Sequence, residues 1–232
     1  VQYVPYVDTS DAIYGHGTHV CGTAVGHRSV DGVEESDGMA NGIAKDAKLA
    51  LFDIGGSDGQ IVLPLVTAAY LITGRKAGSH LHSASWGTDY NEYGLYANAF
   101  DRYHWLNDDF LAIVAAGNTG DSNSFHTVGD PSTAKNVVGV GAGHSSHPDL
   151  MTGQLGESYV SSFSSKGPTA DGRTKPDVIA PGYSLLSSAS RPDKPGACDP
   201  ASYPEPGQRD DGVLSLFGTS MATPVVTGSA AL

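Results

Sequence analysis

The stretch Leu111-Ala-Ile-Val-Ala-Ala-Gly-Asn118 decides the fold class of this chain. Its apolar run is too short for a typical helix and stops at a glycine. A short apolar run of this kind is typical of a strand that is buried on both faces of a parallel sheet. The stretch therefore predicts a central parallel strand over residues 111–116.

The segments on either side alternate between strand and helix patterns. Predicted strands cover residues 1–7, 47–54, 81–86, 136–142 and 177–180, and predicted helices cover 15–25, 61–73, 96–106 and 218–232. The proline-rich residues 190–212 are expected to form a surface loop. Strands that alternate with helices build βαβ units around a parallel sheet. We predict an α/β fold with three layers, a mainly parallel central sheet with helices on both faces, in a single domain over residues 1–232.

The composition is that of an acidic globular protein. The 232 residues are 39% hydrophobic and 16% charged, with a formal net charge of −12. This charge argues against nucleic-acid binding, which normally requires a basic face. It favours solubility, with cation binding or a preference for basic substrates as the alternative. No apolar run approaches the roughly 18 residues of a membrane span, so we predict no membrane segment.

The stretch GHGTHV, residues 15–20, places His16 at a glycine-flanked helix start. A neutral imidazole there can take a hydroxyl proton near neutral pH, which makes His16 a candidate general base. His19 follows three positions later. Zinc binding by the two histidines is the alternative, but no third ligand follows nearby.

Asn118 follows the predicted central strand. Ligand sites of open α/β sheets lie beyond the carboxyl ends of their strands, and an asparagine N–H at that place can stabilise an oxyanion. The preference of asparagine for turns offers a purely structural alternative.

The stretch GTSMATP, residues 218–224, places Ser220 at the start of the last predicted helix. The helix dipole and the unpaired N–H groups at such a position favour negative charge. Pro224 falls in the first turn or just after it, where a missing N–H is tolerated. Ser220 is thus a candidate nucleophile, with helix capping as the alternative.

Together and in this order, the three segments resemble the subtilase family of serine proteases. GHGTHVCG (15–22) is similar to the family's histidine motif, AAGN (115–118) to its oxyanion asparagine, and GTSMATP to its serine motif. Residues 85–87 (SWG) resemble its substrate-binding strand, and residues 134–142 and 175–182 also resemble subtilase segments. Residues 163–182 are similar to the alkaline, oxidatively stable bacterial type and its protist relatives. The resemblance covers nearly the whole chain.

The resemblance implies a subtilisin-like fold and a serine endopeptidase with a Ser-His-Asp triad. Ser220 would attack the peptide carbonyl, His16 would transfer the proton, and Asn118 with the N–H of Ser220 would hold the oxyanion. It implies polypeptide substrates, a propeptide or an inhibitor as a further partner, no required cofactor, and secretion or an extracytoplasmic location.

The same resemblance assigns seven residues to substrate binding: Ser85, Trp86, Gly87, Ala115, Ala116, Gly117 and Thr219. The first three would pair with the substrate backbone as an added strand. The alanines and Gly117 would line the S1 pocket with little side-chain bulk. We therefore expect broad specificity in which large apolar P1 residues are tolerated.

The triad aspartate is the departure from the family pattern. In subtilases it precedes the histidine motif at the end of an earlier strand, and only fifteen residues precede His16 here. Asp8 and Asp11 are alternatives, but the gap is too short for the intervening strand. We expect the acid to lie upstream of Val1. The chain also stops inside the serine-bearing helix, so we expect truncation at both ends.

Smaller features leave alternatives open. Calcium binding is an alternative to a solvated acidic loop for four residues: Asp31, Glu34, Glu35 and Asp37. Cys21 is expected to be a buried thiol, with a disulfide to Cys198 as the alternative. The family often has a proline beside the S1 region, and Pro131 stands at that place, with a cis bond before it as a hypothesis.

Two other functions compete with the peptidase. The missing aspartate favours a catalytically inactive subtilase-fold protein that serves binding or structure. A peptide ligase or cyclase would use the same triad for acyl transfer. The presence of His16, Asn118 and Ser220 together favours the peptidase, because an inactive scaffold has no chemical need for all three.

Overall fold

The structure, a computed structural model, describes residues 2–7, 15–30, 33–34, 40–56, 60–64, 68–121, 124–145, 155–190 and 213–232. Within these residues the elements follow in this chain order: β1 (Gln2–Pro5), α1 (His16–Val25), β2 (Ser29–Val30), β3 (Val33–Glu34), β4 (Ala50–Asp53), α2 (Ala69–Lys76), β5 (Leu81–Ala84), α3 (Leu95–Leu106), β6 (Leu111–Ala115), β7 (Val138–Gly143), β8 (Val178–Pro181), β9 (Leu185–Ser188), β10 (Val213–Leu216) and α4 (Thr219–Ala231).

The main sheet consists of the parallel strands β5, β6, β7 and β8, in that order. Successive side chains of a strand point to opposite faces of its sheet. On β6, Val114 packs in one cluster with Phe100 of α3, whereas Ile113 packs in another with Ala222 of α4. The sheet is therefore covered on both faces, and the predicted three-layer α/β fold is confirmed.

The two clusters supply the fold's main apolar core. Phe100, Ile113 and Val114 are all fully buried. Burying a side chain of this kind stabilises a fold by about 1.5–3 kcal/mol. No helix within the described ranges has the length and apolar character needed to cross a bilayer.

Smaller sheets surround the main one. Strand β1 pairs with β4 in parallel, whereas β9 pairs with β10, and β2 with β3, in antiparallel fashion. Strands β4 and β5 are consecutive, joined through α2, yet they belong to different sheets. In the described part of the chain, each of these two strands therefore has a hydrogen-bonded neighbour on one edge only.

The structure corrects one predicted helix and adds strands. The helix expected over residues 61–73 begins only at Ala69, because Pro64 disfavours helical conformation in the residue before it. Ile61 instead forms a β-bridge with Gly55. Strands β9 and β10 were not predicted. They flank the proline-rich stretch, of which residues 191–212 lie outside the described residues.

Candidate active site

Helix α4 holds Ser220 in its first turn. Gly218 enters the helix with a φ of 146°, which side chains disfavour. Pro224 has no N–H to offer the carbonyl oxygen of Ser220, four residues earlier. Ser85 Oγ donates a hydrogen bond to that oxygen at 2.8 Å, and Ser220 Oγ donates to the carbonyl oxygen of Ser85 at 3.1 Å. These reciprocal bonds hold the candidate nucleophile against the residue that follows β5.

Asn118 follows β6, and its side chain reaches the start of α4. Its Oδ1 accepts hydrogen bonds from the N–H of Thr219 at 2.9 Å and from Thr219 Oγ1 at 3.0 Å. Thr219 Oγ1 in turn accepts the N–H of Gly117 at 3.2 Å. Because two donors hold Oδ1, the orientation of the amide is fixed and Nδ2 is directed away from Thr219.

Two N–H donors near the start of α4 make no hydrogen bond within the described residues: Asn118 Nδ2 and the backbone N–H of Ser220. The Ser220 N–H belongs to the first helical turn, where N–H groups have no intrahelical acceptor. The positive end of the helix dipole also lies there. Neighbouring donors in such a place can stabilise a developing oxyanion.

His16 is the first residue of α1, and its side chain is exposed. The orientation of α1 against α4 follows from contacts at both ends. A Cβ at Gly228, late in α4, would meet the carbonyl oxygen of Ala24, late in α1, at 3.0 Å. Near the other end, His19 Nε2 lies 3.1 Å from a carbonyl oxygen of β10, the strand that leads into α4. The first turns of α1 and α4, with His16 and Ser220, therefore lie at the same end of the pair.

The second histidine of the motif is a structural link. His19 Nε2 lies 3.0 Å from the carbonyl oxygen of Leu185 and 3.1 Å from that of Leu214, so this nitrogen carries the proton. Burial lowers the pKa of His19 to about 4, which keeps the imidazole neutral. Its Nε2 is committed to β9 and β10. Among the described residues, no group of three His, Cys, Asp or Glu side chains is arranged to hold a metal ion.

Acidification from pH 6.5 to 4 is expected to destabilise the fold through His19. The unfolded chain protonates at the ordinary pKa of 6.5, whereas the folded chain resists protonation down to about 4. The unfolded state then binds a proton that the folded state does not. Stability that is fully present above pH 6.5 is lost as the pH falls, by about 3 kcal/mol.

Urea unfolding measured across this pH range tests the prediction. The His19→Gln variant should show the flatter pH dependence, and the difference from wild type isolates His19 from His82, whose pKa burial also lowers to about 4. Equal pH dependence in the two proteins would contradict the assignment.

Residues 85–87, predicted to be the substrate-binding strand, lie just after the end of β5 at Ala84 and are not part of a strand in the structure. Ser85 contacts Ser220, as described above. The ring of Trp86 packs edge-on against Tyr70 at 5.6 Å and Tyr96 at 5.5 Å between centroids, which holds this half-buried ring against the core. Gly87, three residues after the end of β5, is exposed. The segment is thus anchored by Trp86 and leaves its last residue accessible.

The other predicted substrate residues lie after β6 and in α4. The side chains of Ala115 and Ala116 are buried, with 7% and 0% exposure, and Gly117 is half-buried. Thr219 is buried too, and its hydrogen bonds are those that orient Asn118. The structure therefore places Thr219 in contact with the oxyanion candidate.

Several predictions fall on residues that the structure does not describe. These are Asp8 and Asp11 as triad acids, Asp31, Glu35 and Asp37 of the acidic loop, and Cys198. The side chain of Glu34 is also outside the description. The triad acid, the calcium site and the disulfide stay predictions. Cys21 is half-buried, and the peptide bond before Pro131 is cis.

Asp130, which carries no predicted role, lies beside the substrate segments. Asp130 is 3% exposed, and its carboxylate accepts the N–H groups of Tyr96 and Ala97. An aspartate before a proline usually marks an exposed turn. The local pattern therefore gives no indication of a buried carboxylate, because its hydrogen-bond partners lie more than thirty residues away.

Comparisons with known proteins agree with this geometry. The model of the Subtilase family matches residues 3–232. Serine protease/ABC transporter B family protein tagB of Dictyostelium discoideum is 27% identical over 297 residues, which cover 99% of this chain and 15% of that protein. Serine protease AprX of Bacillus subtilis is 38% identical over 126 residues, which cover 53% of this chain and 25% of that protein. The chain therefore spans a small part of these curated relatives.

Solved structures show the same likeness. A mutant of the protease domain of PatA superposes with a TM-score of 0.65 at 25% identity, covering 99% of this chain and 70% of that one. The expected likeness to protist and bacterial subtilases is confirmed by the Dictyostelium and Bacillus relatives. With a family match over almost its whole length, the chain belongs to the subtilase family.

Proposed function

We propose that this domain is a serine endopeptidase that hydrolyses peptide bonds through an acyl-enzyme on Ser220. The observation that carries the proposal is the amide of Asn118, which Thr219, the residue before the nucleophile, holds by Oδ1, so that Nδ2 stays uncommitted within the described residues. A turn asparagine has no need of two donors from a helix start 101 residues away. An oxyanion ligand does, because its value depends on preorganisation.

The reaction follows from the roles of three residues. Ser220 Oγ attacks the carbonyl carbon while its proton passes to His16, and the oxyanion receives hydrogen bonds from Asn118 Nδ2 and the Ser220 N–H. The intermediate then expels the amine, which takes the proton from His16. Water attacks the resulting ester with His16 as base, which releases the carboxylic acid and restores Ser220. These steps use the three named residues and water, and the proposal requires no cofactor.

We propose that the triad acid lies outside the described residues, on a strand that sits in space between β4 and β5 and is hydrogen-bonded to both. Each of these two parallel strands pairs with one neighbour in the described chain, and they do not pair with each other. A parallel strand bonded to both would join the two sheets. Its carboxyl end would lie at the sheet edge where Ser85 and Asn118 follow their strands. This supports an acid on a strand other than β1 over Asp8 or Asp11, which follow β1.

Polypeptides are the proposed substrates, with broad specificity. Gly87 and Gly117 present no side chain to a bound peptide, which supports tolerance of large apolar P1 residues. Binding along residues 85–87 would use backbone hydrogen bonds and so depend little on sequence. A propeptide or inhibitor would occupy the same strand position. Secretion stays a proposal that rests on the family.

Labelling of the full-length protein with a fluorophosphonate tests the proposal. The wild type should be labelled, and the Ser220→Ala variant should not. If the wild type stays unlabelled while a known serine protease reacts beside it, the chain is an inactive scaffold. Products separate the remaining alternative: hydrolysis gives a free carboxylate, whereas a ligase or cyclase gives a new peptide bond with an added amine.

A further inference from the structure

Residues 128–133 lie between two segments that, under the proposed function, form the walls of the S1 pocket: residues 85–88 after β5 and residues 115–117 at the end of β6. The N–H of Gly129 donates to the carbonyl oxygen of Ala116 at 3.1 Å. On the other side, the N–H of Thr88 donates to the carbonyl oxygen of Asp130 at 2.7 Å. Consecutive residues thus join the segment after β6 to the substrate segment after β5. The spacing of these two walls depends on where this segment sits.

The contact between residues 129–130 and residues 87–88 leaves no space for a side chain at either glycine. A Cβ at Gly129 would collide with the carbonyl oxygen of Thr88. A Cβ at Gly87 would come within 2.9 Å of the carbonyl oxygen of Asp130, a separation that real Cβ atoms do not adopt. The backbones therefore touch directly, so a displacement of Asp130 must move the wall residues with it.

The carboxylate of Asp130 connects residues 129–130 to helix α3. Its oxygens accept the N–H of Tyr96 at 3.2 Å and the N–H of Ala97 at 2.5 Å, in the first turn of the helix. Those N–H groups have no intrahelical acceptor, and the helix's own N-cap, Gly94, offers no side-chain bond. A charged acceptor at this position gains from the helix dipole as well. Asp130 thereby caps a helix from a distant segment.

Two further hydrogen bonds connect residues 128–133 to residues 91–92, which precede α3. Asn91 Nδ2 donates to the carbonyl oxygen of Val128 at 2.9 Å, and Thr133 Oγ1 donates to that of Glu92 at 2.6 Å. Burial raises the pKa of Asp130, against the lowering effect of its two N–H partners, and the charge of Glu92 raises it slightly further. Burial thus disfavours the charged form of Asp130, and the two N–H bonds from α3 favour it.

We propose that Asp130 is a positioning residue that sets the width of the S1 pocket, because its carboxylate holds residues 128–131 against the start of α3. The proposal rests on the proposed function for the identity of the pocket. Asp130 does not touch the reacting atoms. Its loss should alter discrimination between P1 side chains and leave the chemistry at Ser220 intact.

Asp101 provides a matched control. It lies on the same helix, is 8% exposed, and also accepts backbone N–H groups, those of Lys135 and Asn136 at 2.7–3.0 Å. Its partners are not wall residues. Asp101→Asn therefore removes a buried charge of the same kind from α3 without releasing Thr88 or Ala116.

The first measurement is hydrogen exchange in the full-length protein, which needs no catalytic activity. In Asp130→Asn, exchange at the Thr88 amide should rise about tenfold together with that at Ala97, because both bonds depend on one residue. In Asp101→Asn, the Thr88 amide should keep its wild-type rate. Faster exchange at Ala97 with no change at Thr88 would reduce Asp130 to a helix cap and overturn the proposal.

The second measurement compares kcat/KM for peptides with phenylalanine and alanine at P1. The ratio should fall about tenfold in Asp130→Asn, mainly through KM for the phenylalanine peptide. An unchanged ratio, or an equal fall in Asp101→Asn, would overturn the proposal. Should Asp130→Asn not fold, Asp130→Glu keeps the charge but displaces it by one methylene, and the same outcomes apply. If the wild type hydrolyses nothing, the proposed function fails, while the exchange data still decide whether Asp130 controls Thr88.

Discussion

The variants Ser220→Ala, His16→Ala and the double variant are each expected to lower kcat for peptide hydrolysis by about a million-fold, and by the same factor. This fall in kcat equals the one caused by removing either the serine or the histidine in subtilisin itself. The equality has a physical reason. A hydroxyl without its base is a poor nucleophile, and a base without the hydroxyl has no proton to take. The residual rate would come from the oxyanion donors and from binding.

The measurement is single-turnover hydrolysis of a peptide with a chromogenic leaving group. Ser229→Ala serves as the matched control, because Ser229 is an exposed serine on the same helix whose hydroxyl donates to the carbonyl oxygen of Val225. It should retain wild-type kcat. If the double variant were slower than both single variants by the product of their effects, Ser220 and His16 would not act as one unit.

Replacing Asn118 by alanine is expected to lower kcat about 100- to 1,000-fold with little change in KM. The Nδ2 donor serves only the oxyanion, which forms after binding, so its loss raises the barrier and leaves substrate affinity intact. Thr219→Val removes the hydroxyl bond to Oδ1 but keeps the backbone bond. It should lower kcat by a smaller factor, about tenfold, because the amide loses orientation and not the donor itself.

Steady-state kinetics of the two variants with one peptide substrate separate these effects. The order wild type, Thr219→Val, Asn118→Ala is the expected sequence of falling kcat. A rise in KM with unchanged kcat in Asn118→Ala would show that the amide binds substrate in its ground state. Asn118 would then be a turn or binding residue, and the oxyanion assignment would be lost.

Local patterns predicted the scaffold well. The apolar run at 111–116 is strand β6, and the helix expected at 96–106 is α3 within one residue, because periodicity and burial are local properties. The start of α2 was wrong, since the apolar pattern from Ile61 onward outweighed the effect of Pro64. Strands β9 and β10 escaped prediction because their pairing joins residues on opposite sides of a long proline-rich stretch.

The site depends more on contacts that no local pattern carries. For Asn118, the residues allowed a turn or an oxyanion ligand, and the contact that favours the second comes from Thr219, 101 positions later. Asp130 is followed by a proline, which is a common turn pattern, and its partners in α3 lie more than thirty positions away. The motif histidines also divide by tertiary contact: His19 is buried against β9 and β10, whereas His16, three residues earlier, is exposed.

The central claim is that Ser220 is a nucleophile that His16 activates. The most direct measurement is a residue-level map, by mass spectrometry, of the adduct that a fluorophosphonate forms with the full-length protein. We predict one adduct per chain, on Ser220, and loss of labelling in His16→Ala although Ser220 is still present. An adduct on another residue, or labelling of Ser220 that proceeds equally well without His16, would contradict the account.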